Sequence, residues 1–152
     1  MTPEADAQGL AERVVQAMVA RDAFSQWLGI AVLEVAPHRS TCRLTVRDEM
    51  VNGFGVTHGG IAFSLADSAF AFACNTHGKV TVSIENSITY PAPVHVGDVL
   101  TAMAREDAAS GRLGYYSAEV TNQRGEVVAL FRGTAFKTTR EHIPGSSLKP
   151  DT

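Results

Sequence analysis

Asp67 lies in the middle of a run, His58-Gly-Gly-Ile-Ala-Phe-Ser-Leu-Ala-Asp-Ser-Ala-Phe-Ala-Phe-Ala-Cys-Asn-Thr-His77, that is apolar nearly all round. A carboxylate in such a place must find a partner, face a cavity or stay protonated. Two accounts are open. Neighbouring backbone, Ser64 or Ser68 satisfies it, or it works as a base or nucleophile. The same run begins with Thr57-His58-Gly59-Gly60, where a helix would gather unpaired N–H groups and the positive end of its dipole. Glycines let another molecule approach that backbone, and such donors suit an oxyanion or a polarised thioester carbonyl. Taken alone, His-Gly-Gly reads as a cap and a close-packing site. Asn52, in a glycine-rich loop upstream, has an amide able to orient a water or hold a carbonyl, yet Asn-Gly alone reads as a turn. Ser83 alternates with Val82 and Ile84 in the next segment and could face the same cavity as Asp67, although strand serines are usually structural.

Gly59 and Asp67 are eight residues apart in sequence. On one helix that is about 12 Å along the axis, too far to bracket one small reacting carbonyl. Two such helices packed antiparallel would bring Gly59 of one chain near Asp67 of another. The spacing therefore predicts composite sites, two per symmetric dimer.

The elements that must position these groups follow from periodicity. Leu10, Val14, Val15, Met18 and Val19 recur at helical spacing, predicting an amphipathic helix over about residues 8–21. A short apolar cluster, Phe24 to Ile30 with Trp27, breaks at Gly29 and leads into a strand ended by Pro37. Ser40 to Arg47 alternates with period two and pairs with that strand as a hairpin. The run from His58 to His77 is then the longest helix, about 30 Å long, rich enough in Ala, Ser and Gly to bury against a sheet. Four β-runs follow it, Val80–Tyr90, Asp98–Glu106, Leu113–Asn122 and Val127–Thr138, with Gly111 and Gly125 in hairpin-like connectors. One buried helix with strands before and after it is an α+β architecture, an antiparallel sheet curved around the helix. Residues 1–138 read as one domain. Residues 139–152 lose apolar periodicity, gain Pro144, Gly145 and Pro150, and read as a flexible tail.

At 152 residues and 16.2 kDa, with a net charge of −3, the chain is sized for one domain and has no general basic face for nucleic acid. A few local cations remain compatible with that balance. The N-terminal segment carries acidic residues and no continuous apolar stretch, so neither a signal peptide nor a membrane span is expected there, and the cytoplasm is the expected compartment. Cys42 and Cys74 have no paired spacing and read as small buried hydrophobes. His38, His58, His77, His95 and His142 are scattered without carboxylates at ligand spacing, so no metal site is expected.

The pattern Asn52-Gly-Phe-Gly-Val-Thr-His58-Gly59-Gly60-Ile-Ala-Phe-Ser-Leu-Ala-Asp67, followed by Ser83, resembles the PaaI-type thioesterases of bacterial phenylacetate degradation. The resemblance runs from about the first strand through Val128-Ala-Leu-Phe-Arg-Gly133. It implies a hotdog fold, a dimer with a continuous sheet and two central helices, and assembly into a homotetramer. It also implies hydrolysis of phenylacetyl-CoA and ring-hydroxylated phenylacetyl-CoA, with no cofactor beyond the coenzyme A of the substrate. By the same resemblance Asp67 is the nucleophile or general base, Gly59 the oxyanion donor and Asn52 the carbonyl- or water-positioning amide. His58, Gly60, Ser68 and Ser83 take binding or supporting places. Phe54, Phe63 and Phe70 read equally as acyl-pocket lining or as core. Coenzyme A phosphates are expected near Gly111, Arg112, Arg132, Gly133 and Lys137. Two rivals are kept. A hotdog dehydratase would carry a His-Phe-Pro-Gly or Asp-x-Asn-Pro-x-His motif, and neither occurs here. A non-catalytic acyl-CoA sensor could keep the groove and lose the acid, which this chain retains.

Overall fold

The computed structural model describes residues 1–146. Helix α1, Pro3–Arg21, starts earlier than its apolar face suggests because Thr2 caps it, accepting from Ala5 N, and Pro3 opens its first turn. Leu10, Ala11, Val14 and Val15 are its buried stripe. Asp22 then caps a six-residue helix α2, Ala23–Leu28, which Gly29 ends in the left-handed conformation at φ 77°.

Strands β1, Ala31–Ala36, and β2, Arg39–Thr45, form the expected hairpin. Helix α3, Gly59–Asn75, follows, with Ala62, Leu65, Ala66, Ala69, Phe70, Phe72 and Ala73 all buried. It is 17 residues long, so about 25 Å rather than 30 Å, because the chain turns at Thr76–His77 and Gly78 adopts φ 97°. Strands β3, Lys79–Thr89, β4, Val99–Ser110, β5, Leu113–Thr121, and β6, Val127–Glu141, complete one antiparallel sheet. Its order is β1-β2-β4-β5-β6-β3, wrapped around α3.

Small residues let the helix lie close to the sheet, and the large ones interlock: Phe131 of β6 packs on Phe63 and Phe70, with ring centroids 5.7 and 5.6 Å away. This is the hotdog architecture, in the α+β class expected. Strand β6 runs three residues into the stretch expected to be a tail, pairing Glu141 with Lys79, and His142 continues with N–H to the Gly78 carbonyl at 2.9 Å. The remainder of that expected tail, residues 147–152, lies outside the described residues. No helix among the described residues is long and apolar enough to cross a membrane.

Candidate active site

Asp67 is half-buried on α3, and neither serine on its own helix satisfies it. Ser64 donates back to the Gly60 carbonyl at 2.7 Å, and Ser68 bonds Ser25 of α2 at 2.9 Å. Ser25 in turn donates to the Asp22 carboxylate at 2.6 Å, so Ser68 belongs to a chain that ties α2 to α3. The partner of Asp67 comes from β3: Asn86 Nδ2 donates to Oδ1 at 3.2 Å. Ser83 Oγ donates to Asn86 Oδ1 at 2.8 Å, behind it. Oδ2 of Asp67 accepts from no described residue. Burial pushes this carboxyl up from its ordinary range, the Asn86 amide pulls it back and the Asp22 charge pushes it further up.

The N-terminus of α3 is built by its own sequence. His58 is the cap, its Nδ1 accepting from Gly60 N at 3.0 Å, and its carbonyl takes Ile61 N. The Gly59 N–H is left without an acceptor among the described residues, at the positive end of the helix. Tyr90 donates its hydroxyl to the Gly59 carbonyl at 2.9 Å, and a Cβ at Gly59 would come within 3.2 Å of that ring. Glycine here is a close-approach requirement. These groups line a cavity of about 120 Å³ together with Thr57 and Val94. Thr57 is buried, and its Oγ1 has no partner among the described residues.

Asn52 organises the loop that precedes the helix, its Oδ1 accepting from Phe54 N at 2.9 Å and Val56 N at 3.3 Å. Both readings of Asn52 therefore hold together: it makes the turn, and its Nδ2, which donates to no described residue, stays available to a carbonyl or a water. Phe54 sits at the tip of this loop, 93% exposed, outside the cavity beside Gly59.

Residues 54–129 match the Thioesterase superfamily. The chain is 39% identical over 121 residues to acyl-coenzyme A thioesterase PaaI of Escherichia coli, covering 80% of this chain and 86% of that one. The structure of the E. coli PaaI protein from the phenylacetic acid degradation operon overlays with a TM-score of 0.86 at 36% identity, covering 88% and 97% of the two chains. Human acyl-coenzyme A thioesterase 13 is 32% identical over 125 residues, 80% of this chain and 89% of that one.

The chain belongs to the thioesterase superfamily.

As a thioester hydrolase, it brings some of the expected groups together and separates others. Gly111, Arg112 and Lys137 meet at the far end of α3, around a cavity of about 100 Å³ that also takes His38, Cys74, His77 and Glu106. The Arg112 side chain donates to the Lys137 carbonyl at 3.3 Å. Burial, with Lys137 and His38 nearby, holds the His77 imidazole down to about 4, so it is neutral near pH 7. Arg132 and Gly133 go elsewhere. Arg132 is exposed on the outer sheet face, in register with Ser117 of β5 and through it with Arg105 of β4. Gly133 is buried: a Cβ there would meet the Phe70 ring at 2.8 Å and Asn86 Oδ1 at 3.0 Å, so it makes room inside the thioesterase rather than presenting backbone to a phosphate.

Asn86 is the site residue that sequence reasoning missed. Strict alternation from Ser83 puts Glu85 and Ser87 on its face and Asn86 on the other. A bulge between Ser83 and Glu85 shifts the register and lets Ser83 and Asn86 meet. The one signal in the sequence is an Asn within a strand, which β-propensity disfavours.

Proposed function

We propose that the protein hydrolyses acyl-CoA thioesters in the cytoplasm, with phenylacetyl-CoA and ring-hydroxylated phenylacetyl-CoA as substrates in phenylacetate degradation. The observation that carries the chemistry is Asp67, desolvated, with one oxygen held by Asn86 and the other free, on the same helix that presents an unpaired Gly59 N–H. The acyl group rests on the similarity to the E. coli PaaI thioesterase.

In this reading Asp67 Oδ2 takes a proton from water while the water oxygen bonds to the thioester carbon. Negative charge collects on the carbonyl oxygen, and the Gly59 N–H and Asn52 Nδ2 stabilise it. The intermediate then expels the sulfur, the C–S bond breaks, and the thiolate of coenzyme A takes up a proton. A desolvated carboxyl, raised toward neutral pH, is a better base than an exposed one. Direct attack by the carboxylate is the other route, and the same groups serve it. Neither asks for a metal or a further cofactor.

The separation of Gly59 and Asp67 along α3 makes each site composite, with Asn52 and Gly59 of one subunit facing Asp67 and Ser83 of the other. Two features support such a pairing. Among the described residues, strand β3 ends the sheet, bonded only to β6, with Val82 46% and Ile84 57% exposed. Along α3, Gly60, Ser64, Asp67 and Ala71 form a half-buried stripe of small residues that the sheet does not cover. Two dimers would make the homotetramer. Arg112 and Lys137, with the Gly111 backbone beside them, are the proposed contacts for coenzyme A phosphates. Cys74, in the wall of their cavity, is seven residues beyond Asp67, about 10 Å along the helix.

Thiol release measured over arylacetyl-, benzoyl- and fatty acyl-CoA thioesters tests the substrate. Phenylacetyl-CoA should give the highest kcat/KM, and preference for a long fatty chain would overturn the acyl assignment. Asp67→Asn should fold and associate as wild type yet lose roughly 10²- to 10⁴-fold in turnover. Near-normal hydrolysis by that variant would remove Asp67 from its role.

A further inference from the structure

We propose that Asn86 is a positioning residue for the reaction at Asp67: anchored by Ser83, its side-chain amide fixes the carboxylate by Oδ1 and so selects Oδ2 as the oxygen that acts. This rests on the reading of Asp67 as the reactive carboxylate.

The chain of bonds has only one workable direction. An ionised carboxylate accepts and never donates, so the Asn86 amide must turn Nδ2 toward Asp67, as it does at 3.2 Å. That turn points Oδ1 the other way, and the Ser83 hydroxyl must then be the donor, as it is at 2.8 Å. Flipping the amide would set two oxygens against each other at Asp67. The Asp67 carboxylate therefore sets which way the Asn86 amide faces, and Ser83 holds it there by donating to Oδ1.

The fold makes space for this relay. The bulge between Ser83 and Glu85 brings the two side chains to one side, and the residue paired with Asn86 across the ladder is Gly133. Any side chain at Gly133 would crowd both Asn86 and Phe70. Among the groups that act on Asp67, Asp22 at the α1–α2 junction carries a like charge, and burial opposes ionisation too. Cys74, further along α3, is a buried thiol pushed up to about 12 and brings no charge near neutral pH. Asn86 is thus the group that favours the charged form of Asp67, and it also decides which way that carboxylate faces.

The test uses Asn86→Leu, which keeps the branched shape and removes the donor, and Ser83→Ala, which removes the donor that holds Asn86 Oδ1. For both, kcat and KM for an acyl-CoA that the wild type hydrolyses are followed against pH, and the Asp67 carboxyl carbon is titrated by NMR, its signal assigned by its loss in Asp67→Asn. Activity needs ionised Asp67, so removing a donor that favours the ion must move its midpoint, and the acid limb of kcat, to higher pH. Asn86→Leu should also lower kcat at neutral pH about tenfold with KM little changed, the loss of one hydrogen bond to a charged group. Ser83→Ala should shift both in the same direction by less. Should Asn86→Leu not fold, the Ser83→Ala titration alone decides. A midpoint and acid limb in these variants that superimpose on wild type overturn the proposal. Failure of the parent reading looks different: Asp67→Asn would keep its turnover, whatever the carboxyl titration of the Asn86 variant reports.

Discussion

Thr57 carries a hydroxyl that nothing in the described fold uses. It is 8% exposed, its Oγ1 is orphaned, and it lines the same cavity as the free Gly59 N–H. Burying a hydroxyl unpaired is destabilising, and swapping it for a methyl of the same shape removes the penalty. Thr57→Val should therefore raise stability by about 1 kcal/mol, read as a shift of the urea midpoint at constant slope. An unpaired hydroxyl in the same cavity as the free Gly59 N–H is expected to meet the bound acyl-CoA, so KM should rise in the same variant. A lower urea midpoint would show that the hydroxyl is bonded in the folded protein. Asp67 breaks the apolar pattern around it, which is why it was legible from sequence. The orphaned state of Thr57 was not legible, since Thr is an ordinary residue before a helix, and only packing shows that its hydroxyl has no partner.

Strands β3 and β6 form the element pair that shapes the interior beside Asp67, and Gly133 is its narrowest point. A Cβ there would lie 2.8 Å from two atoms of Phe70, whose ring is 1% exposed and held between Tyr116 and Phe131 at centroid distances of 5.4 and 5.6 Å. That ring has nowhere to go. Gly133→Ala should lower stability by about 1–3 kcal/mol, the usual cost of overpacking, as measured by chemical denaturation. Hydrolysis should fall as well, because Asn86 Oδ1 at 3.0 Å must move. Full stability together with full activity would mean that the β3–β6 ladder adjusts freely. At this scale the elements were legible and their ends were not. Helix α3 and the strands follow from periodicity, whereas the first turn of α1 depends on the Thr2 cap and Pro3, which an apolar face cannot report. The last residues of β6 are strand because Lys79 and Gly78, distant in sequence but at the start of the neighbouring strand, supply partners. The placing of Gly133 was hidden for a similar reason: a glycine beside an arginine suggests a surface, and only the register sends one inward and the other out.

For the whole molecule, the decisive quantity is the distance between Gly59 and Asp67. On one α3 they are about 12 Å apart along the axis, while α3 exposes a stripe of small residues and β3 an open edge. If sites form across a two-fold axis, each contains Asn52 and Gly59 from one subunit and Asp67 from the other. Two defects on different chains should then segregate. Take Asp67→Asn in one chain and Gly59→Leu, whose side chain covers the N–H and meets Tyr90, in another. Each homo-oligomer is dead at both sites of every dimer. In a mixed pair one site collects both defects and the other collects none. Co-expressed with different affinity tags and purified through both, the mixed pair should regain about half of the wild-type turnover. Sites contained within single chains would leave the mixture as inactive as its parents, since every chain would still carry its own defect.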